Sequence, residues 1–162
     1  MSYIEHVQSI YGMNRERTLA TLDAIAEMNN PQDVLAWRPG PGRAHISWQF
    51  MHVAVTEEMF ATERLLPGTH PGMGELINRF KGGSTPDDDV PTLAGIRSAL
   101  ETGREHLFET FGKFSDDDLE TVPEPLQERG WTLQKTLQII CWHESHHQGQ
   151  AHLTLNLYNA AH

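Results

Sequence analysis

Residues 132–159 read TLQKTLQIICWHESHHQGQAHLTLNLYN, and this stretch decides the fold. Gly130, Trp131 and Thr132 supply a stop, a hydrophobic staple and an N-cap. Leu133, Leu137, Ile140, Leu155 and Tyr158 then recur at helical spacing. The predicted helix runs to about Asn159. In its middle, His143, His146, His147 and His152 place four of the chain's ten histidines within ten residues. His143 and His147 are i and i+4, so their imidazoles lie one above the other and can reach one cation. Continuing the core stripe leads to His143 or Glu144, then His147, Ala151, Thr154 and Tyr158, so the pair faces inward. His146 and His152 fall on other faces.

Working outward, three further helices are expected. Ile4, Val7, Tyr11, Thr18, Leu22 and Ile25 form an amphipathic stripe over 2–28, which Asn29, Asn30 and Pro31 stop. An irregular loop should follow through Trp37–Gly42. A second helix is read over 44–66, with Trp48, Val55, Met59 and Leu66 on one face and His52 among them. Leu93, Ile96, Leu100, Gly103, Leu107, Phe111 and Phe114 mark a third, opened by Pro91 and Thr92. The 67–90 segment is too long for an idle loop and reads as a lid-like excursion with a short helix at 73–80. The Asp-rich connection after Phe114 leaves room for one helical turn near Leu119. No strand-length alternation and no repeat is present, so the fold class is all-α, a four-helix bundle in one domain over 1–162.

Composition narrows the function. The 22 acidic and 12 basic residues give a net charge of −10, and the nine Arg and three Lys are scattered, which argues against nucleic acid as a partner. No apolar run is long enough to cross a membrane. The N-terminus lacks the pattern of a secretory signal, so a cytoplasmic protein is expected. One cysteine, Cys141, excludes an internal disulfide and a Cys-only zinc cluster, leaving His and carboxylates as ligands. Cys141 itself reads as a packing residue. Two ligands do not make a catalytic metal site, and His52, set among large apolar neighbours with Trp48 and Met59 to dry it, is the best third. His6, His70, His106 and His162 read as solvated.

Two other motifs overlap these residues. His143-Glu144-Ser145-His146-His147 satisfies H-E-x-x-H, but Leu153 replaces a metzincin histidine, no later glutamate can ligate, and no edge strand is available for a peptide. Glu144 and His147 form one Glu-x-x-His unit of a di-iron bundle. A second unit is missing, because Phe60 and Ala61 follow Glu57 and Glu58 at the required spacing. A mononuclear site fits better. Glu144 reads equally as a group that orients a ligand imidazole or accepts a proton and as a helix-surface ion pair; Gln150 reads as approaching the site or covering a surface.

Trp48-Gln49-Phe50-Met51-His52, Trp131-Thr132-Leu133 and His143-Glu144-Ser145-His146-His147-Gln148-Gly149-Gln150 together resemble the DinB family, the DinB/YfiT-like metalloenzymes. The resemblance spans nearly the whole chain, and its most specific part is His-x-x-x-His-x-Gly-Gln. It implies an up-down-down-up bundle and a divalent metal held by His52, His143 and His147, with zinc or nickel ahead of iron or manganese. It also implies a homodimer. Related families include bacillithiol- and mycothiol-dependent transferases and a maleylpyruvate isomerase, so membership does not select a substrate. The expected function is a metal-dependent enzyme acting on a small molecule, a low-molecular-weight thiol transferase or a hydrolase. The alternatives are a metal-binding stress or interaction bundle without catalysis, and a bundle whose histidines bind no metal.

Overall fold

The computed structural model describes residues 1–70 and 72–162, so position 71 of the expected 67–90 excursion lies outside the described residues. Ser2 opens the first helix, α1 (Tyr3–Ala26), through a reciprocal cap. Its hydroxyl accepts from the Glu5 amide at 3.1 Å, and the Glu5 carboxylate accepts from the Ser2 amide at 2.7 Å. The connection expected to be irregular after Asn30 instead begins with a six-residue helix, α2 (Pro31–Ala36). Proline is tolerated in a first turn, where its missing N–H has no intrahelical partner to lose, and Val34 and Leu35 are fully buried. Both facts favour the extra helix.

The expected 44–66 helix divides in two. It is α-helical over α3 (Ile46–Met59) and becomes a π turn over Phe60–Leu65. The excursion carries α4 (Glu75–Phe80). Thr92 caps α5 (Leu93–Phe111), accepting from the Gly95 amide at 3.2 Å. The Asp-rich connection makes 3-10 turns at Asp116–Asp118 and Glu124–Arg129. Thr132 then caps α6 (Leu133–Ala161), accepting from the Lys135 amide at 3.2 Å. No strand occurs among the described residues. No helix is long and apolar enough to cross a membrane.

Pairs of bonded residues give the helix directions. Tyr11 with Leu137, Asn14 with Cys141, Thr18 with Glu144 and Thr21 with Gln148 advance together, so α1 and α6 run parallel. Glu57 with Arg104 and Glu58 with His106 make α3 and α5 parallel. Gln49 with Gln150 and His52 with His143 run in opposite order, making α3 antiparallel to α6. The four long helices therefore run up, down, down, up. Helices α3 and α5 approach closely at Gly103, where a Cβ would stand 2.6 Å from the Ala54 carbonyl oxygen.

The apolar interior has two parts. One gathers Leu22, Ile25, Phe50, Val55, Leu100 and Ala151; the other gathers Tyr11, Phe60, Leu107, Phe111, Leu137 and Ile140. At the level between them each long helix contributes one charged side chain: Arg15, Glu57, Arg104 and Glu144. The two carboxylates are 1% exposed and the two guanidiniums 11–12%. Arg15 donates to Glu57 at 2.9 Å, to Glu144 at 2.7 Å and to the Leu100 carbonyl at 2.6 Å. Arg104 donates to both Glu57 oxygens, to the Tyr11 carbonyl at 3.0 Å and to Glu144. Two positive and two negative charges cancel, and carbonyls and the Thr18 hydroxyl take up further bonding capacity.

Candidate metal centre

Helical spacing explains how two elements build this site. On α6, His143 and His147 sit one turn apart with ring centroids 4.4 Å from each other. On α3, Gln49 and His52 share a face three residues apart and meet α6 running the other way. The result is one group of three imidazoles, His52, His143 and His147, whose candidate ligand nitrogens lie within 4.8 Å of one another. His52 Nε2 and His143 Nε2 are 3.0 Å apart.

The outer nitrogens decide which lone pairs remain free. His52 Nδ1 is 2.6 Å from the Phe80 carbonyl oxygen, which can only accept, so Nδ1 carries the proton and Nε2 is free to ligate. His147 Nδ1 is 2.6 Å from Gln49 Oε1 and donates to it, with the same consequence. The Gln49 amide nitrogen donates to Gln150 Oε1 at 3.1 Å, and the Gln150 amide nitrogen to His146 Nε2 at 2.6 Å. A chain of three hydrogen bonds thus links His147 to the surface.

Burial is the first cause of a depressed pKa in all three. It lowers His52 against the raising effect of the Phe80 carbonyl. Burial takes His143 down to about 3, with help from His52, His146 and Arg64. His147 falls to about 2 through burial and then through the neighbouring His143, His52 and His146. At neutral pH the three rings are uncharged. Converging neutral imidazoles with two outer nitrogens already committed form a donor set suited to a divalent ion.

The cover comes from α3 and the segment after α4. Trp48 stacks on His52 at 4.7 Å and 14°, while its indole N–H donates to the Ser84 hydroxyl at 3.2 Å. A Cβ at Gly82 would come within 3.8 Å of His52 Cε1. His45, which nothing in the sequence marks out because histidine is not a usual cap, anchors both parts. Its Nδ1 accepts from the Trp48 amide at 3.0 Å and its Nε2 donates to the Asp87 carbonyl at 3.1 Å. It is 1% exposed.

Glu144 corrects both of its expected roles. It neither orients an imidazole nor sits on the surface; it turns into the ion layer, bonded to Arg15, Thr18 and Arg104. That removes the water-activating glutamate from the literal H-E-x-x-H match. Glu57 belongs to the same layer, so it contributes to no dinuclear site. His106, expected in solvent, is partly buried with its Nδ1 2.7 Å from the buried Glu58 carboxylate, and His70 stacks on it at 3.9 Å. Those two are half-buried because Glu58 draws His106 into the α3–α5 contact. His6, His146, His152 and His162 are exposed. Cys141 is half-buried, with Asn14 donating to its carbonyl and sulfur, and burial raises its thiol pKa.

Gln49 was missed as a functional residue, although its position one turn before His52 was the available signal. Arg15 and Arg104 were missed too. Each interrupts an apolar stripe, Tyr11–Arg15–Leu22 and Leu100–Arg104–Leu107, where only an internal partner makes a charge affordable.

The family and the three-histidine cluster are compatible with a metal-binding enzyme. No curated protein and no solved structure matches the chain. The family model described as the DinB superfamily matches residues 11–151, and the chain belongs to that superfamily.

Proposed function

We propose that this chain is a metal-dependent enzyme with a mononuclear centre on His52, His143 and His147, acting on a low-molecular-weight thiol of the bacillithiol or mycothiol type as a transferase, or as a hydrolase. The observation that carries the reading is the convergence of three neutral imidazoles, two of them with Nδ1 already donating to fixed oxygens. Zinc or nickel suits three imidazoles best, and iron or manganese next. When bound, such an ion lowers the pKa of a thiol or water and polarises an electrophile.

The chain's own residues do the rest. Phe80 and Gln49 hold His52 and His147 in the ligating tautomer, and Trp48 shields one face of His52 from water. With Glu144 committed elsewhere, no carboxylate beside the imidazoles is assigned as a base. The proton of a reacting thiol would pass to solvent, to which His143 and His147 are partly exposed. A homodimer is part of the proposal. Met13 and Trp142, 57% and 60% exposed, flank a groove between α1 and α6 that a second copy would cover.

Elemental analysis of tag-free protein, followed by thiol-conjugation and ester-hydrolysis assays on wild type and His147→Ala, tests the reading. Close to one equivalent of a transition metal, lost together with activity in the variant, is expected. Protein that takes up no ion from zinc or nickel solutions overturns it. A loaded but inactive protein whose unfolding temperature collapses on chelation supports the non-enzymatic bundle instead.

A further inference from the structure

His52 and His147 are held by locks of different kinds. The Phe80 carbonyl can only accept, so it admits one tautomer of His52 and no other. Gln49 is a primary amide, with an acceptor oxygen and a donor nitrogen on one planar head. Turned end for end, it would offer its NH2 to His147 Nδ1 and move the imidazole proton to Nε2. The lone pair that faces His52 and His143 would then be gone. Gln49 alone therefore does not choose the tautomer. What meets the other end of its amide does.

That end meets Gln150. The Gln49 nitrogen donates to Gln150 Oε1 at 3.1 Å, and the Gln150 nitrogen donates to His146 Nε2 at 2.6 Å. Helical spacing assembles the chain, because His146 and His147 stand four and three residues before Gln150 on α6, and Gln49 reaches across from the antiparallel α3. Gln49 is 5% exposed. Among the described residues its side chain bonds only to His147 and Gln150, so its burial leaves it dependent on those two. Gln150 is half-buried and His146 is exposed, with the Trp142 ring stacked on His146 at 4.8 Å and 26°.

Every donor in this chain points outward from His147. One other arrangement is self-consistent, with each member reversed and His147 Nδ1 as the acceptor. A mixed arrangement would set N–H against N–H or oxygen against oxygen and leave buried groups unpaired. Polarity thus belongs to the chain as a whole, and Gln150 is the member that joins its buried half to its exposed end.

We infer that Gln150 is a positioning residue of the three-histidine centre: acting through Gln49, it sets which nitrogen of His147 carries the proton, and so whether that ring can ligate. His146 is the outer acceptor of the same chain and not a ligand. The effect on metal affinity rests on the metal-centre reading, whereas the tautomer of His147 is a property of the protein without an ion.

Proton–nitrogen correlation spectra of full-length, metal-free protein with isotope-labelled histidines report which ring nitrogen is protonated, and His147→Gln assigns the His147 signals. Wild type should carry the His147 proton on Nδ1. Gln150→Glu, which can only accept from Gln49, should keep it there. Gln150→Lys, which can only donate, should turn Gln49 and move the proton to Nε2. Gln150→Leu, which ends the chain at Gln49 without adding charge, should show both tautomers, and it serves alone if circular dichroism finds Gln150→Lys unfolded. Zinc affinity, read by competition with a chromophoric chelator, should fall about 10–100-fold in Gln150→Lys relative to Gly149→Lys. The latter adds the same charge at an exposed neighbouring position where a side chain meets nothing. Retention of the Nδ1 proton in both Gln150→Lys and Gln150→Leu, or equal zinc affinity in Gln150→Lys and Gly149→Lys, overturns the inference alone. Failure of wild type to take up zinc overturns the metal-centre reading, while the spectra still decide whether Gln150 governs His147.

Discussion

Replacing Arg104 by Met tests the charged layer that divides the interior. Arg104 is 11% exposed and supplies bonds to both Glu57 oxygens, to Glu144 and to the Tyr11 carbonyl. Without it, two buried carboxylates face the single positive charge of Arg15. Breaking a buried ion pair from one side costs about 3–5 kcal/mol, and the residual exposure favours the lower end, about 3 kcal/mol. For a chain of this size that corresponds to a fall in unfolding temperature of roughly 9 °C. Adding Glu144→Met restores one charge of each sign. The double variant should therefore recover stability, by about 1–2 kcal/mol relative to the single one, instead of losing more. Urea and thermal unfolding of chelator-treated protein, followed by circular dichroism, measure both. Arg97→Met, which removes a solvent-exposed pair to Asp23 and no other side-chain hydrogen bond, serves as the control, with a loss of at most about 1 kcal/mol. An Arg104→Met loss below about 1 kcal/mol, or a double variant weaker than either single one, refutes the argument that this layer is a charge-balanced unit.

Four further outcomes follow from the geometry. Gly103→Ala forces a methyl group to within 2.6 Å of the Ala54 carbonyl oxygen, so α3 and α5 must separate at a cost of about 1–3 kcal/mol in chemical denaturation. Metal-free protein should lose stability on acidification from about pH 6.5 towards 3. The folded state holds His143 neutral to about 3, while the unfolded chain takes up its proton near the ordinary value of 6.5. The slope is about 1.4 kcal/mol per pH unit for each such imidazole, and a flat urea midpoint across that window would contradict it. Cys141, half-buried with a raised pKa, should react with a disulfide reagent at neutral pH at least about tenfold more slowly in native than in urea-unfolded protein; equal rates would show the thiol to be accessible. Trp142→Glu should shift the sedimentation of the protein toward the monomer, and an unchanged value would remove the α1–α6 groove from the proposed dimer contact.

Periodicity made the four long helices legible, because Leu133, Leu137 and Ile140, or Ile96, Leu100 and Leu107, have no other way to share one face. It also placed His52, His143 and His147 on facing stripes, since an imidazole at a core position stands out against its apolar neighbours. The π turn was not legible: Phe60–Leu65 contains nothing that an α-helix would reject, and the change of pitch comes from packing against neighbouring segments. The role of Glu144 was lost for a related reason. Its partners Arg15 and Arg104 come from helices 129 and 40 residues away, and no local spacing brings them together. Gln49 shows the same limit, because its meaning depends on His147, 98 residues further along.

The link between His52 and His143 spans 91 residues and cannot form until the last helix has been synthesised. An ion arriving earlier would find at most one member of the trio placed, and the entropy of closing so long a loop would oppose capture. Any loading would thus wait until α6 has been made as far as His147. Discrimination among ions would then fall to the folded arrangement of the three imidazoles, and the nascent chain would take no part in it.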